Sequence, residues 1–357
     1  MSEAFDLAAE LVGISSPSRH ESEIAEFVTT RLAGVAHLEV SHLGDNVVAR
    51  TNHGASRRVI IAGHLDTVST GGAIARIEGD DLWGLGAADM KGTVAVMLLL
   101  AAELAAPTVD VTWIFYAREE IGRAESGLLE IEAAAPELLV GDVAILGEPT
   151  CAAIEAGCQG TLRLVVSIGG ITAHSARPFM GVNAIHRAGR VIDAIASAAP
   201  RVVVLDGVSY AEQIQVVAVE GGRGHNVVPD RATVTINHRF APDRTPEEAE
   251  AWVRSLITDL VDDSLGDIVE VHDAAQGAAP HLDHPVLQKL LELSDAPVTG
   301  KVGWTDVATF AALGVPAANF GAGDPLVAHH PDERVERHSI DAVYNVLRAL
   351  LTDPSLA

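Results

Sequence analysis

Cysteine is nearly missing from this chain of 357 residues: Cys151 and Cys158 are the only two. Their spacing fits neither a redox Cys-x-x-Cys pair nor a zinc knuckle, so reduced thiols in a cytoplasm are expected. Basic residues are scarce as well, 24 Lys and Arg against 49 Asp and Glu, which gives a formal net charge of -25. A phosphate backbone needs a concentrated basic surface, so nucleic acid is excluded as an expected partner. An anionic substrate would need local arginines strong enough to overcome the global field. No segment approaches the roughly twenty uninterrupted apolar residues of a membrane span. The opening Met1-Ser2-Glu3-Ala4-Phe5-Asp6 has neither a basic region nor an apolar signal core. The expectation is a soluble, cytoplasmic protein with no membrane partner.

A chain of this length is too long for one ordinary core, and two domains are the natural expectation. Ala4 to Val12 reads as a short helix, and Ser18 with Glu21 forms a capping-box pattern opening a second helix through about Leu32. Val59-Ile60-Ile61-Ala62 is apolar throughout, as a strand covered on both faces should be, and runs into Gly63-His64-Leu65-Asp66-Thr67-Val68. Alternate side chains of an extended chain share a face, so His64 and Asp66 can point the same way from the strand's carboxyl end. In open α/β sheets, ligands collect at that end.

Two further buried-type strands end similarly. Val111–Tyr116 finishes in Ala117-Arg118-Glu119-Glu120, and Val143–Leu146 in Gly147-Glu148-Pro149-Thr150. Adjacent carboxylates are costly to bring together unless a cation or solvent takes up the repulsion. Between the His64 stretch and Val111, a glycine-rich loop delivers Asp89 just before the apolar helix Thr93–Leu104, either as that helix's N-cap or as a group brought close to something by the glycines. Three strand-like runs ending in potential metal ligands are less easily coincidental than one.

From Gly160 the texture changes to a β-α-β-β-α order: a strand at Thr161–Ile168, a helix over about 183–197, strands at Gln213–Val219 and Ala232–Arg239, and a helix over about 246–261. This predicts a small α/β sandwich inserted at 160–273 in a discontinuous catalytic domain of 1–159 and 274–357. Asp273 to Pro285 reads as the return linker. Beyond it come helices at Val286–Leu293, Val307–Leu313 and Ile340–Leu350 and a strand at Pro316–Phe320. The fold class expected is α/β, a doubly wound mixed-sheet catalytic domain carrying an inserted α/β lid or dimerisation domain.

Six marks stand in order: Gly63-His64-Leu65-Asp66-Thr67-Val68, Gly86-Ala87-Ala88-Asp89-Met90-Lys91-Gly92, Glu119-Glu120, Gly147-Glu148-Pro149-Thr150, Ala173-His174-Ser175-Ala176-Arg177-Pro178 and Ala328-His329-x-Pro331-Asp332-Glu333. The chain resembles, from end to end, the co-catalytic zinc amidohydrolases and peptidases that include aminoacylases, acetylornithine deacetylase and succinyl-diaminopimelate desuccinylase. Ile145-Leu146-Gly147-Glu148-Pro149-Thr150, Glu155-Ala156-Gly157-Cys158-Gln159-Gly160 and Gly303-Trp304-Thr305-Asp306 are most similar to the desuccinylases of actinobacterial type.

The resemblance implies two Zn2+ ions per subunit, with Co2+ or Mn2+ able to substitute. His64 and Glu148 would hold one ion and Glu120 and His329 the other, with Asp89 bridging. It makes Glu119 the general base and has Asp66 orient His64 through its carboxylate. His174 would reach a neighbouring subunit's site, while Asn226, Arg239 and Gly323 would contact substrate. A guanidinium such as Arg239 can grip a carboxylate through two parallel hydrogen bonds. The Pro-Asp-Glu that follows favours His329 over His330 as the ligand. The implied substrate is an acylated amino acid, N-succinyl-LL-2,6-diaminopimelate, and the implied assembly a homodimer through the inserted domain. Some desuccinylases carry arginines before the Gly-Ser or Gly-Thr opening that domain. Here Cys158-Gln159 stands there, which bears on succinyl recognition. The alternatives are a sister deacylase such as acetylornithine deacetylase, a non-catalytic metal-binding homologue, and an acidic calcium-binding scaffold, for which histidine ligands are wrong.

Overall fold

The computed structural model describes residues 3–69 and 75–357. The chain divides into two compact units, one of 1–156, 280–299 and 309–357, the other of 157–279 and 300–308. Among the described residues no helix is long and apolar enough to cross a membrane.

The larger unit is organised on an eight-stranded mixed sheet. Its order is Glu39–Leu43, Asn46–Arg50, Asp110–Tyr116, Arg58–His64, Val143–Leu146, Ala317–Asn319, Ile154–Ala156 and Val298–Gly300. Arg58–His64 runs parallel to both Asp110–Tyr116 and Val143–Leu146. These are the three strands whose continuous apolar runs stand out in the sequence, and nearly every residue in them is buried. From Arg58–His64 the chain goes first to the neighbour on one side and then to the neighbour on the other, so His64 lies where the strand order reverses. A crevice forms at such a point outside the carboxyl ends.

The helix Gly92–Glu103 covers this region. Val94, Ala95, Val96, Met97, Leu98 and Leu100 are all buried, as expected of a helix apolar all round. Its entry is locked by Met90. An ideal Cβ on Gly147 would lie 2.5 Å from Met90 Cε and 2.6 Å from Thr93 Cγ2, and one on Gly63 would lie 2.5 Å from the same methyl. The methionine next to Asp89 therefore fills the space that two strand-end glycines leave. Gly147→Ala is expected to cost about 1–3 kcal/mol through overpacking, measured as a lowered midpoint in urea unfolding. An unchanged midpoint would show that Met90 is free to move aside.

The second unit is a four-stranded antiparallel sheet, Gln213–Gly221, Arg231–Phe240, Gly160–Gly169 and Ile268–Ala275 in that order. The helices Ala184–Ala196 and Pro246–Ile257 pack on one face over Leu164, Val166, Val234 and Ile236. The edge strand Ile268–Ala275 lies partly in the stretch expected to be linker. Glu270, His272 and Asp273 give it no apolar alternation, and half of its residues are exposed. The segment 300–308, expected in the catalytic domain, belongs to this unit instead. Lys301 O accepts from Gln159 N at 3.1 Å, Trp304 Nε1 donates to Gln276 O at 3.0 Å, and an ideal Cβ on Gly300 would meet the Tyr210 ring at 2.7 Å.

The expected capping box at Ser18 and Glu21 is absent. The second helix is Ser22–Leu32, and Glu21 occupies its N-cap position without a side-chain cap bond. Both side chains are buried and turned toward the strand ends.

Candidate metal centre

His64, the last residue of its strand, and Asp89, from the loop before the Gly92–Glu103 helix, meet at 3.0 Å, Nε2 to Oδ1. Asp89 does not cap that helix, whose N-cap position is Lys91. Its own backbone is non-helical, and Glu333 Oε1 holds it by accepting from the Ala88 and Asp89 N–H groups at 3.1 Å each. Burial pushes the Glu333 carboxyl up to about 7. His329 comes from a late loop, with φ at 60°. Its Nε2 lies 2.9 Å from Glu120 Oε1 and 3.4 Å from Asp89 Oδ2. His330 is more exposed and turned onto its own turn, its Nδ1 accepting from Asp332 N at 3.1 Å.

Three groups of donor atoms converge within 4.8 Å of one another: His64, Asp89 and Glu148; Asp89, Glu120 and His329; and His64, Glu119 and Glu120. Asp89 is common to the first two. Four carboxylates thus crowd two imidazoles, an excess of negative charge that calls for cations. The titration of the histidines expresses the same field. Burial opposes protonation of His64, but Asp89, with Glu119 and Asp66 beyond it, outweighs burial and raises its pKa well above the ordinary value. His329 is pushed up to about 10, first by Asp89 and then by Glu120. For Asp89 burial works the other way, yet His329 and His64 hold its carboxyl well below the usual range. Nitrogen and oxygen donors without a thiolate, drawn from five separate segments, fit divalent transition metals of the zinc type.

Asp66 plays a different part from the one expected of its carboxylate. His64 Nδ1 pairs at 2.9 Å with the Asp66 backbone carbonyl, while the nearest carboxylate oxygen is 3.6 Å away, too far for a hydrogen bond. The carboxylate instead accepts from Glu119 N at 2.9 Å, Glu120 N at 3.0 Å and Ser18 Oγ at 2.7 Å. Its side chain is turned to gather strand-end amides, and the ring is oriented by the main chain.

Gly323 is buried at φ 92°, where an ideal Cβ would lie 2.8 Å from Ala88 Cα. Its N–H donates to Ser339 Oγ and its carbonyl accepts from Cys151 N, so its backbone polar groups are spent inside the protein. This glycine permits close approach of the His329 loop to the Asp89 loop and offers no amide to a substrate.

The remaining sequence candidates lie in the second unit. His174 is exposed, and its Nδ1 accepts from Ala176 N at 3.0 Å. Asn226 O accepts from Ser175 N at 2.9 Å. Arg239 is half-buried on the Arg231–Phe240 strand, where burial and the nearby Arg163 lower its pKa from the usual guanidinium value. Asn46, accepting from Ala117 N, and Glu333 are buried supports of the site that no local pattern singles out for that role, and Ser18 and Glu21 hold Asp66 and Arg118 N in place of capping a helix. Glu333 does stand in the Pro331-Asp332-Glu333 mark, and the spacing of Ser18 and Glu21 is a pattern with a second meaning.

Comparison with known proteins agrees with this geometry. Residues 60–353 match the model of peptidase family M20/M25/M40. A Mycobacterium tuberculosis protein named as a candidate succinyl-diaminopimelate desuccinylase is 49% identical over 348 residues, 97% of each chain. A Corynebacterium glutamicum protein named succinyl-diaminopimelate desuccinylase is 41% identical over 355 residues, 97% of this chain and 95% of that one. An M20 family metallo-carboxypeptidase from Sulfolobus solfataricus shares the fold at a TM-score of 0.80 with 18% identity, covering 99% of this chain and 100% of the other.

Proposed function

Because the chain belongs to peptidase family M20/M25/M40, we propose that it is a zinc-dependent hydrolase that converts N-succinyl-LL-2,6-diaminopimelate and water into succinate and LL-2,6-diaminopimelate. The observation that supports the metal chemistry is the pair of donor groups sharing Asp89. The substrate rests on the names of relatives that match nearly the whole chain at 49% and 41% identity. Residues of this kind belong to a reaction in which water, a poor nucleophile, attacks an amide, a poor electrophile.

In this reading His64 and Glu148 would hold one ion and Glu120 and His329 the other, with Asp89 available to both groups. Bound ions supply a Lewis acid for the amide carbonyl and lower the pKa of water to about 7. Glu119 accepts the proton of the attacking water and passes it to the leaving amine nitrogen. Asp66 fixes Glu119 and Glu120 by their backbone amides and sets the His64 ring through its carbonyl. Arg239 and Asn226 grip substrate carboxylates, for which a guanidinium raised in energy by burial is well suited. His174, exposed on the second unit, serves the oxyanion of a neighbouring subunit in a homodimer formed through that unit. The unpaired thiols of Cys151 and Cys158 accord with a cytoplasmic setting.

The test is a substrate panel with purified protein and added zinc. N-Succinyl-LL-2,6-diaminopimelate is expected to exceed N-acetylornithine and dipeptides by about a hundredfold or more in kcat/KM. A panel led by acetylornithine would make the chain a sister deacylase, and no turnover of any amide would make it a non-catalytic homologue.

A further inference from the structure

Four consecutive backbone N–H groups follow the end of the Asp110–Tyr116 strand, and a side chain from elsewhere in the sequence holds each of them. Asn46 Oδ1 accepts from Ala117 N at 2.9 Å, Glu21 Oε1 from Arg118 N at 3.0 Å, and Asp66 Oδ1 and Oδ2 from Glu119 N at 2.9 Å and Glu120 N at 3.0 Å. Ser18 Oγ donates to Asp66 Oδ2 at 2.7 Å and tethers the last of these acceptors. The turn they hold is strained: Arg118 sits at φ 62°, a region that non-glycine residues rarely adopt. Side-chain acceptors hold its amides, and Gly127 N donating to Ala117 O and Arg118 Nε donating to Glu125 O, each at 2.8 Å, hold it from the other side. Glu21 and Asn46 are fully buried and Ser18 is nearly so.

We propose that Glu21, with Ser18 acting through Asp66, is a positioning residue for the reaction, fixing the turn that aims Glu119 at the metal centre. The inference rests on reading Glu119 as the base and Glu120 as a ligand. The segment 14–18 is itself pinned to the chain leaving the neighbouring strand Arg58–His64 and to Lys91. Ser16 Oγ donates to Leu65 O at 2.7 Å, Thr67 N to Ser16 O at 2.9 Å, Ser18 N to Thr67 O at 3.1 Å, and Lys91 Nζ to Ile14 O at 2.6 Å. The Ser-x-x-Glu pattern that elsewhere caps a helix is here used on the active-site turn. A displacement of about 1 Å in a catalytic group costs on the order of a hundredfold in rate. A residue that only sets the turn should therefore show its effect in kcat.

Glu21→Ala is expected to lower kcat on N-succinyl-LL-2,6-diaminopimelate by about tenfold to a hundredfold, with KM and zinc content unchanged. In Glu21→Gln the side-chain oxygen still accepts the Arg118 N–H, and the amide group relieves the repulsion with Asp66, so kcat should recover to near the parent value. Wild-type kcat in Glu21→Ala, an equal loss in both variants, or a loss accompanied by release of zinc would overturn the proposal. If Glu21→Ala does not fold, Ser18→Ala removes only one O–H from Asp66 and must show a smaller loss in kcat at unchanged KM; a parental kcat there overturns it as well. Glu119→Gln is measured alongside. If that variant keeps full turnover, the base assignment fails and takes this proposal with it. If it is inactive while the Glu21 and Ser18 variants behave as parent, this proposal alone fails.

Discussion

Glu119→Gln should lower kcat by about a hundredfold to ten-thousandfold while the protein keeps its metal and its thermal midpoint. The substitution preserves shape, and the backbone N–H that Asp66 holds at 2.9 Å is untouched. It removes only the capacity to accept a proton from water and return it to the leaving amine. The competing role is that of a ligand, since Glu119 also stands in a donor group with His64 and Glu120. Metal analysis separates the two. A ligand's loss would release an ion along with activity, whereas a base's loss leaves both ions in place. KM should move little, because the groups assigned to substrate binding are elsewhere.

Asp89→Ala should be still more damaging, because one carboxylate serves both donor groups. Its oxygens lie 3.0 Å from His64 Nε2 and 3.4 Å from His329 Nε2. Removing it leaves each of these two groups a donor short and takes from both imidazoles the carboxylate they share. Lewis-acid stabilisation is worth several kcal/mol, so turnover should fall by roughly a thousandfold or more, and zinc content should drop for both ions. His329→Ala touches one group only and should leave one ion bound. Equal metal loss in the two variants would show that the sites do not divide as proposed. The measurements are zinc per chain after gel filtration and steady-state rates with added zinc.

Much of this architecture was legible because the informative residues follow directly on the most legible elements. His64, Glu119, Glu120 and Glu148 each come at or just after the end of a continuous apolar strand, and such strands declare themselves. Residues that act through contacts distant in sequence were read differently. Ser18 and Glu21 have the spacing of a capping box, and nothing local says that Glu21 will hold an amide 97 residues away. Proximity in sequence points the Asp66 carboxylate at the ring two residues before it, while its partners include amides 53 and 54 residues on. Gly323 is a substrate contact only by resemblance, and no local feature tells that its N–H donates to Ser339 Oγ and its carbonyl accepts from Cys151 N. The strands Arg76–Glu78, Asp81–Trp83 and Arg334–Glu336 are too short to show a period of two.

The central claim is that this chain hydrolyses its amide with metal held by the groups around Asp89. Its most direct test is a zinc titration of chelator-stripped protein, following release of LL-2,6-diaminopimelate from N-succinyl-LL-2,6-diaminopimelate. The account predicts no turnover in the stripped protein and recovery that levels off at two zinc ions per chain. Full turnover without metal, or protein that takes up no zinc at micromolar concentration, would contradict it.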